Sequence, residues 1–294
     1  MALQVFGFSA CECVVLAPWE SEALLNASPG SVVTVNAGKD SVRVAKRGHE
    51  VVVELGGRAY SVEAEVLQRH TRRRSYLAVE RSAAYEVEVR TPFAYYKLVP
   101  VEGSSAPTLE INGIHMHRVE GTTPIEDARS KVRALSIRPR SEVLEVGTGL
   151  GYTTAAALEA GAAHVTSIEV DENVLWVAER NPWSRHLASD KVTILLGDAV
   201  MVVKELSGPF DYVVHDPPRF TSSTGPLYGR EFYAELFRLL RPGGRLFHYT
   251  GEPGRARGRS LWADVARRLR EVGFDEIRYV KEALGIVARR PKRP

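Results

Sequence analysis

A chain of 294 residues has room for one large domain or two of ordinary size. Hydrophobic residues make up 44% and charged ones 26%, which excludes a disordered or fibrous chain, and no apolar run reaches the length of a bilayer span. The net charge of +3 is too small to announce a nucleic-acid partner by itself. The N-terminus lacks a basic segment followed by an apolar one, so a cytoplasmic location is expected. Arg and Glu are plentiful while Gln, Asn, Cys and Met are scarce, a balance found in thermophile proteins. The two cysteines stand in Cys11-Glu12-Cys13. Alternation puts both on one face of a strand, and half of a zinc ligand set is missing. They are expected as two small buried side chains, with no metal site.

Residues 1–30 show no clear period. From Ser31 to about Arg118 the pattern is short and alternating. "SVVTVNAG", "SVRVAKRGHEVVVELGGRAYSV", "AYEVEVR" and "PFAYYKLVPV" are rich in Val and Tyr and punctuated by Gly, Pro and Asn. They read as strands and hairpins of a small β-rich domain over residues 1–121. Within it "QRHTRRR", residues 68–74, reads as a basic loop able to contact phosphates through Arg72, Arg73 and Arg74.

After Gly121 the period changes. "TTPIEDARSKVRALSI" opens with Thr123, then Pro124 at the first helical position and Glu126 three residues after the Thr, a capping-box start. Buried strands then alternate with helices. "EVLEVG", "HVTSIEV", "KVTILLG", "FDYVVHD" and "GGRLFHYT" are strands, each followed by a helical segment, and "FDEIRYVKEA" with "LGIVARR" closes the sheet. This spacing predicts a doubly wound, mostly parallel α/β sheet over residues 122–294. The tail "RRPKRP" is basic and expected to be loose.

"VLEVGTGLGYTT" follows a strand and opens a helix. Gly147, Gly149 and Gly151 let the backbone turn tightly and approach a ligand. Glu145 stands before the first glycine, where a carboxylate would repel phosphate and suit an amino group. Glu169 ends the next strand, placed to accept two ribose hydroxyls. Asp198, in "LLGDAV", is placed to accept from the exocyclic amine of a base. Acids at three successive strand ends, with glycines between, describe a site for an adenosine that carries an amino acid and no phosphates.

These segments resemble the class I S-adenosylmethionine-dependent methyltransferases. "LEVGTGLG", "IEVD", "GDA" and "DPPR" look like that family's first four motifs, and "LRPGGRL" like the segment before its fifth strand. The resemblance covers roughly residues 122–294 and implies a Rossmann-like methyltransferase sheet with S-adenosyl-L-methionine as cofactor. It implies that Glu145, Gly147, Gly149, Gly151, Glu169 and Asp198 hold the cofactor, flanked by Thr148, Tyr152, Val170, Gly197 and Ala199. More narrowly, "NPWS", "HDPPRF", "LYGREFY" and "GGRLFHYTGEPG" resemble an archaeal group of predicted methyltransferases without a firm substrate.

Asp216 ends the fourth strand, and Pro217 and Pro218 fix two φ angles and supply no N–H. A carboxylate beside a rigid carbonyl can accept both protons of an –NH2 group and aim its lone pair at a methyl sulfonium. The turn resembles the Asp/Asn-Pro-Pro-aromatic motif of amine-directed nucleic-acid methyltransferases. Here Arg219 stands where that motif has its aromatic residue, and Phe220 follows one later. Asp216, Pro217, Pro218 and Arg219 are the expected catalytic residues. Phe220, His117 beside Arg118, and the strand-end pair His248 and Tyr249 are candidates for the substrate. Asn181, Trp183 and Ser184 read as a helix stop with a packed Trp. The expected reaction is methylation of a nitrogen of RNA, in tRNA or rRNA, with a small amine as the alternative acceptor. "GPLYGREFYAELFRLLRPGG" also resembles aminopropyltransferases, which use decarboxylated S-adenosylmethionine. A module that binds cofactor without catalysis is the third reading.

Overall fold

The computed structural model describes residues 3–251 and 261–292. Most of the stretch Gly251-Glu252-Pro253-Gly254 and the last two residues of the basic tail thus lie outside the described residues. The chain forms two compact units. One gathers residues 1–7, 125–172 and 187–294, the other residues 8–124 and 173–186.

The first unit is built on an eight-stranded sheet. Its strands are β1 (Val5–Phe6), β2 (Glu142–Val146), β3 (His164–Glu169), β4 (Val192–Leu196), β5 (Phe210–His215), β6 (Leu240–Tyr249), β7 (Asp275–Val280) and β8 (Gly285–Arg289). Their order across the sheet is β1-β4-β3-β2-β5-β6-β8-β7. From β4 to β6 neighbours are parallel, while β1, β7 and β8 pair antiparallel at the margins. The helices in this half of the chain are α1 (Pro124–Leu135), α2 (Tyr152–Glu159), α3 (Glu172–Glu179), α4 (Ala199–Glu205), α5 (Arg230–Leu239) and α6 (Leu261–Val272). The alternation of strand and helix is the predicted one, and the α/β expectation holds.

Two-sided cover explains why these strands read as apolar runs. On one face Leu144, Val146, Ile168, Val213 and Leu246 share a core with Val203 of α4, Phe232 and Leu236 of α5 and Leu269 of α6. Residues of the other parity, Glu145, Ser167, Val214 and Phe247, are equally buried. The order of strands reverses beside β2, so the ends of β2 and β5 open the crevice where α/β sheets receive ligands.

The second unit is β-rich, as expected. A meander of four strands runs through Val32–Val35, Asp40–Arg47, Glu50–Leu55 and Arg58–Glu63. Two smaller antiparallel sheets accompany it, one of them built from Val14–Leu16, Leu77–Glu80 and Ala83–Glu86. Val14, Leu24, Val44, Val53, Tyr60 and Leu67 lie in one core. Residues 1–30, which carried no period, hold two short strands and the helix Pro18–Asn26.

Two expectations are corrected here. Gln68, Arg69 and His70 form the last turn of a helix, Ala64–His70, and are not loop. Leu67 and His70 stand three apart and turn inward together, and His70 lies 2.7 Å from Ser21 Oγ and 2.8 Å from the Ser75 carbonyl. Arg72, Arg73 and Arg74 remain exposed, with Arg73 paired to Glu86 at 3.0 Å. The cysteines are the second case, because Cys11 and Cys13 belong to no strand and their sulfurs are joined. In a strand, Cα atoms two residues apart are about 6.6 Å apart. The bend at Glu12 brings them to 5.4 Å, within disulfide reach. Among the described residues, the cluster with metal-ligand spacing is Cys11, Cys13 and Glu80, and joined sulfurs offer no thiolate.

Candidate active site

The glycine loop leaves β2 and enters α2. Gly147 and Gly149 adopt φ of +96° and +53°, values that L side chains rarely take. A Cβ on Gly147 would stand 2.9 Å from the Asp216 carbonyl oxygen, so the loop and the turn after β5 touch backbone to backbone. Asp216 N–H also donates to the Val146 carbonyl at 3.1 Å. A Cβ on Gly149 would meet nothing within 4 Å, which leaves open room before the loop. Gly151 packs against Leu187. Thr148 and Tyr152 are buried, and the Thr148 hydroxyl turns inward to Ser167 Oγ at 2.7 Å.

The three acids behave differently. Glu169, at the end of β3, accepts N–H bonds from Gly149 and Val170 at 3.0 Å and Asp171 at 3.2 Å. The carboxylate is thereby fixed at the rim of the loop. Burial pushes its carboxyl above the ordinary value against those three donors. Beside it Val170 is 66% exposed, an apolar side chain at the mouth of the site. Asp198 is exposed at the end of β4 and caps α4 by accepting from Val200 N–H at 2.8 Å. Gly197 N–H donates to the Glu169 carbonyl, and Ala199 packs on the core.

Glu145 is a correction. Its place before the first glycine suits a ligand's amino group, yet it is 1% exposed and accepts from Ser167 Oγ at 2.6 Å and from Thr154 Oγ1. Glu145 is one residue short of the strand end, and alternation sends it under the covering helices. Burial pushes its carboxyl up to about 7, against the lowering effect of the two hydroxyls. The folded chain thus holds a proton that the unfolded chain releases near 4.5. Glu145's stabilising contribution is complete below about pH 4.5 and is lost as pH rises through about 7. His215 works the other way, since burial pulls its ring down to about 4 and destabilises the fold as pH falls below about 6.5. Glu145→Gln removes only the first effect. Between pH 4.5 and 7 its unfolding free energy should rise relative to that of the wild type, by about 3 kcal/mol at most. Urea titrations at stepped pH measure this, and parallel curves for the two proteins would contradict it.

Asp216 follows β5, and its Oδ2 lies 2.5 Å from Lys131 Nζ on α1. Lys131 also lies 2.9 Å from Asp127 Oδ2 and 4.8 Å above the centre of the Tyr249 ring. Nothing in the local sequence marks Lys131 as a site residue. A lysine in an amphipathic helix reads as solvent-facing, and the one available signal was Asp127 four residues before it. The Pro-Pro turn is anchored behind, since the buried Tyr228 donates its hydroxyl to the Pro218 carbonyl at 2.8 Å. Arg219 is exposed, and Phe220, 53% exposed, meets Tyr228 edge-on at 5.3 Å.

Of the strand-end pair, Tyr249 is partly exposed at the Lys131 cluster. His248 is a second correction, because it is fully buried. It shares a face with Leu246 and pairs in register with His215 under α5. Its Nδ1–H donates to the Tyr249 carbonyl and its Nε2 accepts from Tyr233 Oη, both at 2.9 Å. In the other unit, His117 lies 2.8 Å from Thr108 Oγ1 and Arg118 follows it. Asn181 accepts from Trp183 N–H and donates to Ser184 Oγ, while the Trp183 indole donates to the Ala37 carbonyl. These three close a helix stop.

A family model described as a methyltransferase domain matches residues 143–244. The chain is 49% identical over 200 residues to the uncharacterized protein MJ1233 of Methanocaldococcus jannaschii, covering 67% of this chain and 68% of that one. The chain belongs to the family of this archaeal protein. Its α/β unit is a class I methyltransferase domain, and S-adenosylmethionine is the cofactor of that domain. Polyamine aminopropyltransferase 2 of Streptomyces coelicolor is 34% identical over 150 residues, 48% of this chain and 26% of its own length. Ribosomal RNA large subunit methyltransferase I of Pseudoalteromonas translucida is 27% identical over 187 residues, 56% of this chain and 46% of its own length. The chain thus spans about a quarter and about half of these two relatives. Among the described residues no helix is long and apolar enough to cross a membrane.

The loop of this methyltransferase domain fits its cofactor. The room before Gly149, a carboxylate fixed by main-chain amides, an exposed valine beside it and an acid at the next strand end suit a nucleoside.

Proposed function

We propose that this chain transfers the methyl group of S-adenosylmethionine to a nitrogen of RNA, in tRNA or rRNA. The observation that carries this reading is the backbone contact between the glycine loop and the Asp216-Pro217-Pro218 turn. On this reading Asp216 binds the acceptor, and its turn stands against the glycine loop. The cofactor supplies an electrophilic methyl on a sulfonium. Glu169 would hold the ribose hydroxyls, Val170 pack on the base, and Asp198 accept from the base amine. Asp216 Oδ1 and the Pro217 carbonyl would take the two protons of the acceptor –NH2. Phe220 offers the stacking ring that Arg219 displaces by one position, and Arg219 is left for a phosphate.

An RNA acceptor is supported by the ribosomal RNA methyltransferase among the relatives and by the exposed arginines of the N-terminal unit. Replacing Arg72 and Arg74 by Ala should lower the slope of log affinity against log salt by about 1 to 2, since roughly 0.7–0.9 counterion is released per phosphate contact. Filter binding of bulk tRNA at stepped KCl measures the slope, while cofactor affinity stays unchanged. A wild-type slope would remove this segment from the RNA surface.

The 34% identity with an aminopropyltransferase favours one second reading, transfer of an aminopropyl group to a small amine. One experiment separates the two. The protein is incubated with methyl-labelled S-adenosylmethionine, and in parallel with decarboxylated cofactor and putrescine. RNA, protein and small-molecule fractions are then counted. Label in RNA upholds the proposal, and spermidine in the parallel reaction replaces it.

A further inference from the structure

Lys131 is 5% exposed, a rare place for an ammonium. Asp127, one turn back on α1, already satisfies it with an i,i+4 pair at 2.9 Å. An ion pair that merely joined helix to sheet could be replaced by apolar side chains with little loss. Lys131 instead reaches past Asp127 to the acid of the Pro-Pro turn. The Tyr249 ring lies beneath the ammonium, so it is held from three sides. Its grip is on Oδ2 of Asp216, and among the described residues no hydrogen bond is made to Oδ1. Two carboxylates therefore share one ammonium.

We propose that Lys131 is a positioning residue for methyl transfer: keyed by Asp127, it pins one oxygen of Asp216, turns the other toward the acceptor, and offsets part of the charge that Asp216 presents to the sulfonium. This rests on the reading of the Asp216 turn given above. Burial alone would lower the Lys131 pKa, and the two aspartates more than reverse that, so the ammonium stays charged across the working pH range. The arrangement keeps a carboxylate where positive charge develops on the attacking nitrogen. It also limits how tightly that carboxylate holds the cationic cofactor before reaction.

The test compares S-adenosylmethionine with S-adenosylhomocysteine by calorimetry at pH 8. The two ligands differ by one methyl and one positive charge, so their affinity ratio reports the local charge. Asp216→Asn should shift the ratio against the cationic ligand by roughly threefold, and Lys131→Met should shift it toward that ligand by about the same factor. Lys131→Met takes the ammonium partner from the buried Asp127. The variant Lys131→Met/Asp127→Asn, which keeps Asp216 charged, should shift the ratio in the same direction if the single variant does not fold. If Asp216→Asn moves the ratio and neither folded lysine variant does, Lys131 is a strut and the inference falls alone. If Asp216→Asn leaves the ratio unchanged, Asp216 does not face the sulfur, and the methyl-transfer reading of the turn falls with it. In single-turnover methylation of the RNA fraction, Lys131→Met should cost about tenfold in wild type and no more than about twofold in the Asp216→Asn background. An undiminished second loss would overturn the claim that Lys131 acts through Asp216.

Discussion

Asp216→Ala should slow single-turnover methyl transfer about a hundredfold, roughly 2.7 kcal/mol, while changing cofactor affinity by less than about fivefold. Oδ2 already spends itself on Lys131, so the reacting amine depends on Oδ1 and the turn's carbonyls. As the nitrogen attacks, positive charge grows on it, and a fixed carboxylate gains more from the transition state than from the ground state. Asp216→Asn keeps an acceptor oxygen and should retain more activity than the alanine variant. Arg219→Ala should instead raise the KM for RNA, because its exposed guanidinium is read as holding an anionic group of the acceptor. Rapid quench with saturating cofactor separates these effects. A wild-type rate for Asp216→Ala would reduce the Pro-Pro turn to a strand end.

Gly147→Ala should cost about 2–4 kcal/mol of stability and displace the Asp216 turn as well. Two penalties combine at this position. The φ of +96° is strained for any L side chain, and the new methyl would meet the Asp216 carbonyl at 2.9 Å. Neither partner is a flexible side chain, so the backbone itself must yield. Turnover should then fall by at least the factor expected for Asp216→Ala, since a shift of about 1 Å at an aligned group has that effect. Gly149→Ala is the control. Its methyl meets no protein atom within 4 Å, so stability should drop by only about 1 kcal/mol, while cofactor affinity falls about tenfold. Urea denaturation and calorimetry on the two variants check the contrast, and equal stabilities would show that the loop can slide away from the turn.

The α/β alternation was legible because helix and strand impose different periods, and the described residues after Gly121 keep to them. Much of the candidate site was legible for the same reason: glycines and acids fall at strand ends. What stayed hidden depends on faces rather than spacing. His248 looked like a rim residue because it stands one before the end of its strand. A central strand is covered on both sides, however, and parity sends it under α5 with His215. Glu145 was misplaced by the same one-residue margin. Lys131 was invisible because its partner Asp216 is far away in sequence and meets it only once α1 packs on the sheet. The cysteines escaped because alternation holds only where the chain is extended, and a bend at Glu12 ends it.

Residues 1–7 belong with the α/β unit, and residues 173–186 with the β-rich one. A ribosome releases the chain from its N-terminus, so neither unit can be finished in the order in which it is made. Val5–Phe6 emerges early but finds its partner strand only with Val192–Leu196. The meander of Val32–Glu63 is out long before Trp183 arrives to donate to Ala37. Nascent chains arrested before residue 186 should therefore carry an incomplete N-terminal unit and be cut readily by protease. Protection should begin only when the start of the catalytic half has been translated, which ties maturation of the two units to one stretch of messenger.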